Sequence, residues 1–318
     1  MFQTIHRARP ITVDGSAWAA PSHAAGDIDE ALVDAAALAG RDLPIHVDAA
    51  LGRFASTPDR SGALLIRNVP IGGLPATPAA PSAPTDKDLT TELVLLTVAR
   101  RLGQPVGYVP EHGGRIVQNI VPTASDADLQ TSTSSRSNLM FHTETAFHPF
   151  RPRYLLLFCL RGDPNARTTL VSIHDLVDHL PDDVVTAMFE PRFRTAVDAS
   201  FLDGRDNTLG PARPLITGTL AEPTFVFDAD LTRGIDDTSD AVVAAVSTAI
   251  GELESAVVLE PGDLLVIDNN IAVHGRSPFT ARFDGTDRWL QRSFVVSDLA
   301  PSAAERRGRV ITTEFGQL

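Results

Sequence analysis

Residues 141–149 read FHTETAFHP, with His142 and Glu144 two positions apart. On an extended backbone, residues i and i+2 point to one face. An imidazole and a carboxylate then converge on one point and supply two neighbouring ligands for a metal ion. The best candidate for a third ligand is His274, in the segment 263–276 (DLLVIDNNIAVHGR). There an apolar strand over 264–267 turns polar at Asp268, Asn269 and Asn270 before the histidine arrives. Two histidines and one carboxylate with open positions match the ligand set of non-haem iron oxygenases. An H-x-E alone more often lies on a surface strand or loop, and the same three ligands also make a catalytic zinc site, so a zinc hydrolase is a competing reading. His148 is a rival ligand, but six residues from His142 is a long reach, and packing or support of the site suits it better. His6, His23, His46, His112, His174 and His179 have no partner pattern and read as surface or structural histidines.

A second constellation lies at 287–294, DRWLQRSF. Arg288 and Arg292 are four apart on an expected strand, so both face one way with Leu290 between them. If that face is the interior, each guanidinium needs an anion, because an unpaired buried charge costs on the order of several kcal/mol. The guanidinium fork binds carboxylates two-pronged. Two inward arginines therefore imply two ligand carboxylates, or one ligand carboxylate and one internal salt bridge. Two outward arginines on an edge strand are the plain alternative. A zinc hydrolase accounts for the triad but not for paired arginines at fixed spacing from His274.

These residues need a frame. The 318 residues are 43% hydrophobic and 21% charged, enough for one large domain with a sizeable core. The balance of 27 basic and 40 acidic side chains, a net charge of −13, argues against a nucleic-acid or anionic-membrane partner. The single cysteine, Cys159, excludes an intrachain disulfide and a cysteine-rich metal site; in the apolar run 154–160 it reads as a small buried hydrophobe. No stretch approaches the roughly 20 apolar residues of a membrane span, and the N-terminus has no apolar signal region, so a cytoplasmic location is expected.

Apolar spacing predicts helices over 28–40, capped by Asp27 or Asp29, and over 89–102. The Pro-, Ala- and Gly-rich 70–87 is an extended loop, not a domain boundary. Strands are expected at 63–69, 114–121, 153–160, 167–172, 192–198, 223–228, 256–260, 263–269 and 289–297, with helices at 173–190 and 239–254. The polar stretch 122–139 reads as a mobile loop just ahead of His142. Many short strands with a few helices suggest a sandwich or barrel carrying helices on one side. There is no internal repeat and no Gly-rich phosphate loop.

FHTETAFH, then RPRYLLLFCLRGDPNARTTLV, then LEPGDLLVIDNNIAVHGRSPFTARFDGTDRWLQRSFVVSD resemble clavaminate synthase and the bacterial free-amino-acid hydroxylases for asparagine and arginine, over about residues 60–298. The resemblance implies a mainly β fold with flanking helices around a double-stranded β-helix (jelly-roll) core. It implies one oxygenase domain over 1–318: a helical part to about 60, the core over about 61–298 and a tail over 299–318. It also implies Fe(II) on His142, Glu144 and His274, with 2-oxoglutarate and O2 as co-substrates. Arg288 and Thr169 would grip the far carboxylate of 2-oxoglutarate, and Arg292 the α-carboxylate of an amino acid. Glu111, Gln118 and Ser132 fall where relatives bind the α-amino end, and Asp228 where they place an acid against the side chain; for Asp228 alone, capping a turn at a strand end is the plain alternative. Relatives that oxidise arginine carry a second acid two residues before this one. Val226 stands there instead, which favours a smaller amide or another polar or cationic side chain, although Asp230 keeps arginine open. Related halogenases leave the carboxylate position empty, so Glu144 favours hydroxylation.

The expected activity is hydroxylation of a C–H bond, the β-carbon first, of a free L-amino acid with a polar or basic side chain, releasing succinate and CO2. Desaturation or cyclisation of a natural-product intermediate, and a non-catalytic amino-acid-binding protein, are the alternatives. The expected state is a monomer or weak dimer whose partner is a small molecule.

Overall fold

The computed structural model describes residues 3, 4, 10–13, 18, 30–57, 59–82, 84, 86–202, 204–207 and 209–316. The expected caps Asp27 and Asp29, and His6 and His23, lie outside them. Helix α1 (Glu30–Ala39) buries Leu32, Val33 and Ala36, and α2 (Ile45–Ser56) buries Val47, Ala50, Leu51 and Phe54. The second helix was not anticipated, although its buried positions recur at helical spacing. Strand β1 (Ala63–Arg67) and helix α3 (Thr90–Leu102) fall where expected. They are followed by β2 (Gln104–Tyr108), β3 (Gln118–Ile120), β4 (Leu139–His142), β5 (Tyr154–Arg161) and β6 (Arg167–Ser172). The helical stretch after β6 is two helices, α4 (Ile173–His179) and α5 (Asp182–Met188), broken at Pro181, which removes a backbone donor. Then come α6 (Asp237–Leu253), β7 (Ser255–Val258), β8 (Leu264–Asp268), β9 (Ala272–Arg276) and β10 (Trp289–Val296).

The strands form two principal sheets. In the larger, the central order is β2-β10-β5-β8-β1, with β3 also on β10; in the smaller, β7-β6-β9-β4. Alternation along β5 explains its unbroken apolar run. Leu156, Phe158 and Leu160 face α1–α3, while Leu155, Leu157 and Cys159 face the space between the sheets. A sheet buried on both faces needs apolar residues at every position. Cys159 is fully buried, and burial pushes its thiol up to about 12, as fits an inert core residue.

The smaller sheet alternates too. Leu170 and Ala272 face inward, whereas Val171 and Val273 join a separate core with α4–α6. Helices therefore cover both outer faces, not one side as the sequence suggested, because β6 and β9 also carry apolar residues outward. The stretch 122–139 has no helix or strand before β4 begins at Leu139, but it is not a free loop. The N–H groups of Ser135, Arg136 and Ser137 converge on the Ala127 carbonyl, Thr133 Oγ1 donates to Asp126, and Phe279 N–H donates to the Ser135 carbonyl. No described helix is long and apolar enough to cross a membrane.

Candidate active site

Strands β4 and β9 run antiparallel, and His142 pairs directly with His274 in their register. Directly opposed residues share a face with Cβ atoms about 5 Å apart, and the two imidazole centroids lie 4.4 Å apart. Strand β4 ends at His142, so Glu144 does not arrive by strand alternation as expected. Thr145 turns the chain through a left-handed φ of 49°. Buried Asn269 clamps the Glu144 peptide: its Oδ1 accepts from Glu144 N–H at 2.7 Å, and its Nδ2 donates to the carbonyls of Glu144 and Pro152 at 3.1 and 3.0 Å. One ligand atom from each of His142, Glu144 and His274 then lies within 4.8 Å of the others.

The donor set fits a divalent metal. His142 Nδ1 sits 2.8 Å from the Met140 carbonyl; an N–H there donates to it and leaves Nε2 free to ligate. Burial pushes the Glu144 carboxyl up, but Arg292 and the two histidines together outweigh it and hold it at about 2. Burial, aided by His142, lowers His274 to about 4. An ionised carboxylate beside a neutral imidazole is the protonation state a metal requires.

The three ligands open onto a cavity of about 670 Å³. Arg288, Leu290 and Arg292 all line it, so the two guanidiniums do face inward. Arg292 has an internal partner. Its Nη2 lies 2.6 Å from Glu111, its Nε and Nη2 donate to Gln118 Oε1 at 2.8 and 2.6 Å, and its Nη1 lies 3.6 Å from Glu144. Arg288 is buried and makes no ion pair or hydrogen bond among the described residues. Arg292 is thus paired internally, with Glu111 and at longer range with Glu144, whereas Arg288 has no carboxylate partner among the described residues.

Glu111 and Ser132 line the cavity. Burial raises the Glu111 carboxyl, against the pull of Arg292. Gln118 is fully buried and does not line the cavity: its Oε1 is taken by Arg292 and its Nε2 donates to the Arg115 carbonyl, so it positions Arg292. Thr169 is also displaced from its expected role. Thr168 lines the cavity with inward Leu170, while Thr169 shares the outward face of Val171. Asp228 sits at a turn on the cavity wall. Its Oδ1 accepts the N–H groups of Asp230 and Leu231, capping a turn, yet it bridges to His142 in the backbone and lines the cavity. Asp230 reaches the cavity through that turn, not by continuation of a strand.

His148 is not a ligand. It is fully buried among Tyr108, Phe150 and Phe315, its Nδ1 accepts from Phe150 N–H, and burial, with Arg151, lowers it to about 3. Three contributors escaped the sequence reading. Asn269 was seen only as part of a polar turn. His112 lines the cavity and is held at about 4 by burial and by the charges of Arg292 and Arg115. Arg276 lines the cavity two residues after His274, and that i, i+2 spacing on a strand was the available signal.

No protein-family model matches the chain. It is 39% identical over 287 residues to the L-lysine 3-hydroxylase of Catenulispora acidiphila, spanning 88% of this chain and 80% of that one. It is 34% identical over 295 residues to clavaminate synthase 2 of Streptomyces clavuligerus, spanning 90% of each. Among solved structures, asparagine oxygenase in complex with Fe(II), 2S,3S-3-hydroxyasparagine and succinate matches with a TM-score of 0.87 at 32% identity, over 95% of this chain and 98% of that one. The non-haem iron oxygenase OrfP in complex with Fe and α-ketoglutaric acid matches with a TM-score of 0.84 at 31% identity, over 96% and 99%. The likeness runs through most of the chain and is not confined to the metal motif, and on that ground the protein belongs to the clavaminate synthase-like family of iron(II)- and 2-oxoglutarate-dependent amino-acid hydroxylases.

Proposed function

We propose that this enzyme hydroxylates the β-carbon of a free L-amino acid with a polar or basic side chain, coupled to conversion of 2-oxoglutarate to succinate and CO2. The observation that carries this reading is the sharing of one cavity by the His142–Glu144–His274 cluster, the Glu111–Arg292 pair and unpaired Arg288. When bound, iron(II) supplies the oxygen activation that oxidises both the co-substrate and the C–H bond.

The chain's own residues bind and orient. Arg288, with Thr168 on the same cavity wall, suits the far carboxylate of 2-oxoglutarate. Glu111 and Arg292 pair with each other at 2.6 Å. An α-ammonium on Glu111 and an α-carboxylate on Arg292 would replace that pair charge for charge. Holding the substrate by both α-groups brings its β-carbon toward the metal, with Gln118 fixing the Arg292 fork and Ser132 on the cavity wall. Asp228 and Asp230 give the side-chain end of the cavity a negative lining suited to an amide N–H or a cation. The two facing sheets suit a jelly-roll core within a single domain, acting as a monomer or weak dimer in the cytoplasm.

A mass-spectrometric screen of free amino acids with Fe(II), 2-oxoglutarate and O2 tests the proposal. One polar or basic amino acid is expected to gain a single oxygen atom with matching succinate. Turnover with zinc and none with iron would instead favour a hydrolase.

A further inference from the structure

Arg276 lies two residues beyond His274 on β9, and its side chain enters the same cavity. It is 4% exposed, and its Nε and Nη1 are buried without a hydrogen-bond partner. Its Nη2 donates to Ser134 Oγ at 2.7 Å and to the Ser137 carbonyl at 3.1 Å, both in the 122–139 segment. The guanidinium stacks on Phe279, 5.0 Å from the ring centroid, which fixes its plane. Arg288 lies close enough for its charge to act on Arg276.

Two buried guanidiniums thus share one cavity, and neither forms an ion pair with a described acid. The cavity's buried or half-buried carboxylates are committed elsewhere: Glu111 to Arg292, Glu144 beside the histidines, Asp198 to the N–H and hydroxyl of Ser200, and Asp228 to its turn and to His142. Like charges buried together without a counter-ion are costly, and an anion facing both relieves the cost.

We propose that Arg276 is a second guanidinium ligand for the far carboxylate of the dicarboxylate co-substrate, and that through Ser134 and Ser137 it links occupancy of that subsite to the position of the 122–139 segment. The proposal rests on the assignment of Arg288 to the same carboxylate. A carboxylate has lone pairs enough to accept from both guanidiniums. One free N–H, at Nη1 or at Nε, serves the anion while Nη2 keeps the segment, whose Gln130, Thr131 and Ser132 form part of the cavity wall. Co-substrate binding would then steady the wall against which the amino acid is placed.

The test compares wild type with Arg276→Met, Arg276→Lys, Ser134→Ala and Arg288→Met. Affinity for 2-oxoglutarate is measured by calorimetry on Mn(II)-loaded protein without O2, and trypsin cleavage after exposed Arg136 reports on the segment. Loss of charge-assisted hydrogen bonds predicts roughly ten- to a hundredfold weaker 2-oxoglutarate binding in Arg276→Met. Arg276→Lys, which keeps the charge but not the fork, should fall between, and it decides the matter if the Met variant does not fold. Ser134→Ala should bind within about twofold of wild type while its segment is cut faster. In wild type 2-oxoglutarate should slow the cut at Arg136, and in Arg276→Met it should not. Wild-type affinity in Arg276→Met overturns the proposal, as does an equal loss in Ser134→Ala, which would make the effect indirect. Wild-type affinity in Arg288→Met would instead locate the failure in the underlying assignment of the subsite.

Discussion

Arg292 touches Glu111, Gln118 and Glu144 at once. Removing it leaves Glu111 buried without its cation, and breaking such a pair costs about 3–5 kcal/mol. Arg292→Ala should therefore lower the melting temperature and raise the KM for the amino acid far more than that for 2-oxoglutarate. Adding Glu111→Gln should recover much of the lost stability but not the activity. Arg288→Ala should show the opposite KM pattern with little loss of stability, because it has no internal partner to strand. Equal effects of the two arginine variants on both substrates would undo this division. Glu144→Ala should abolish iron-dependent succinate release, and normal release from that variant would count against the metal assignment.

At the level of elements, the site depends on how closely β9 approaches β4. Gly275 follows His274 on β9, and a Cβ there would lie 2.6 Å from the Leu139 carbonyl oxygen of β4 and 3.0 Å from Thr169 Oγ1 of β6. A backbone atom cannot yield as a flexible side chain can. Gly275→Ala should push the strands apart and weaken iron binding by about tenfold or more, with the far-ultraviolet circular dichroism unchanged. The turn after β8 is equally exacting. Asn269→Ala removes three hydrogen bonds to buried backbone groups. It should destabilise the protein by about 1–3 kcal/mol and lower iron occupancy, because Glu144 loses the clamp that aims it. Thermal unfolding with and without iron checks both effects.

For the molecule as a whole, acid sensitivity has an identifiable contributor outside the cavity lining. Asp236 caps α6, its side chain accepting from Ser239 N–H in a reciprocal capping box. Its pKa falls from an ordinary 3.8 to about 2, first through the Ser239 backbone N–H and then through the Ser239 hydroxyl and Arg192. A depressed carboxyl stabilises the fold above its unfolded pKa and loses that contribution as pH falls through the folded one. The contribution should be complete above about pH 4 and fade toward pH 2. Asp236→Asn keeps an acceptor for the cap but does not titrate, so its acid-unfolding curve should be shallower in that window.

How much was legible beforehand depends on the distance over which each residue acts. His142 and Glu144 were readable because two residue types two apart make a local pattern. Arg288 and Arg292 were readable because alternation along one strand preserves facing across four residues. Apolar runs were enough to place β1, β5, β8 and α3, whose buried positions recur at short spacing. Alternation has a phase, however, and in RTTLV two adjacent threonines suit either phase; only packing of Leu170 inward and Val171 outward chose Thr168. The direct pairing of His142 with His274, the partnering of Arg292 by Glu111 and the clamp of Asn269 on Glu144 join residues 125 to 181 positions apart. The first arises from the register between strands and the other two from turns that the tertiary fold brings against them, neither of which side-chain types along one segment encode.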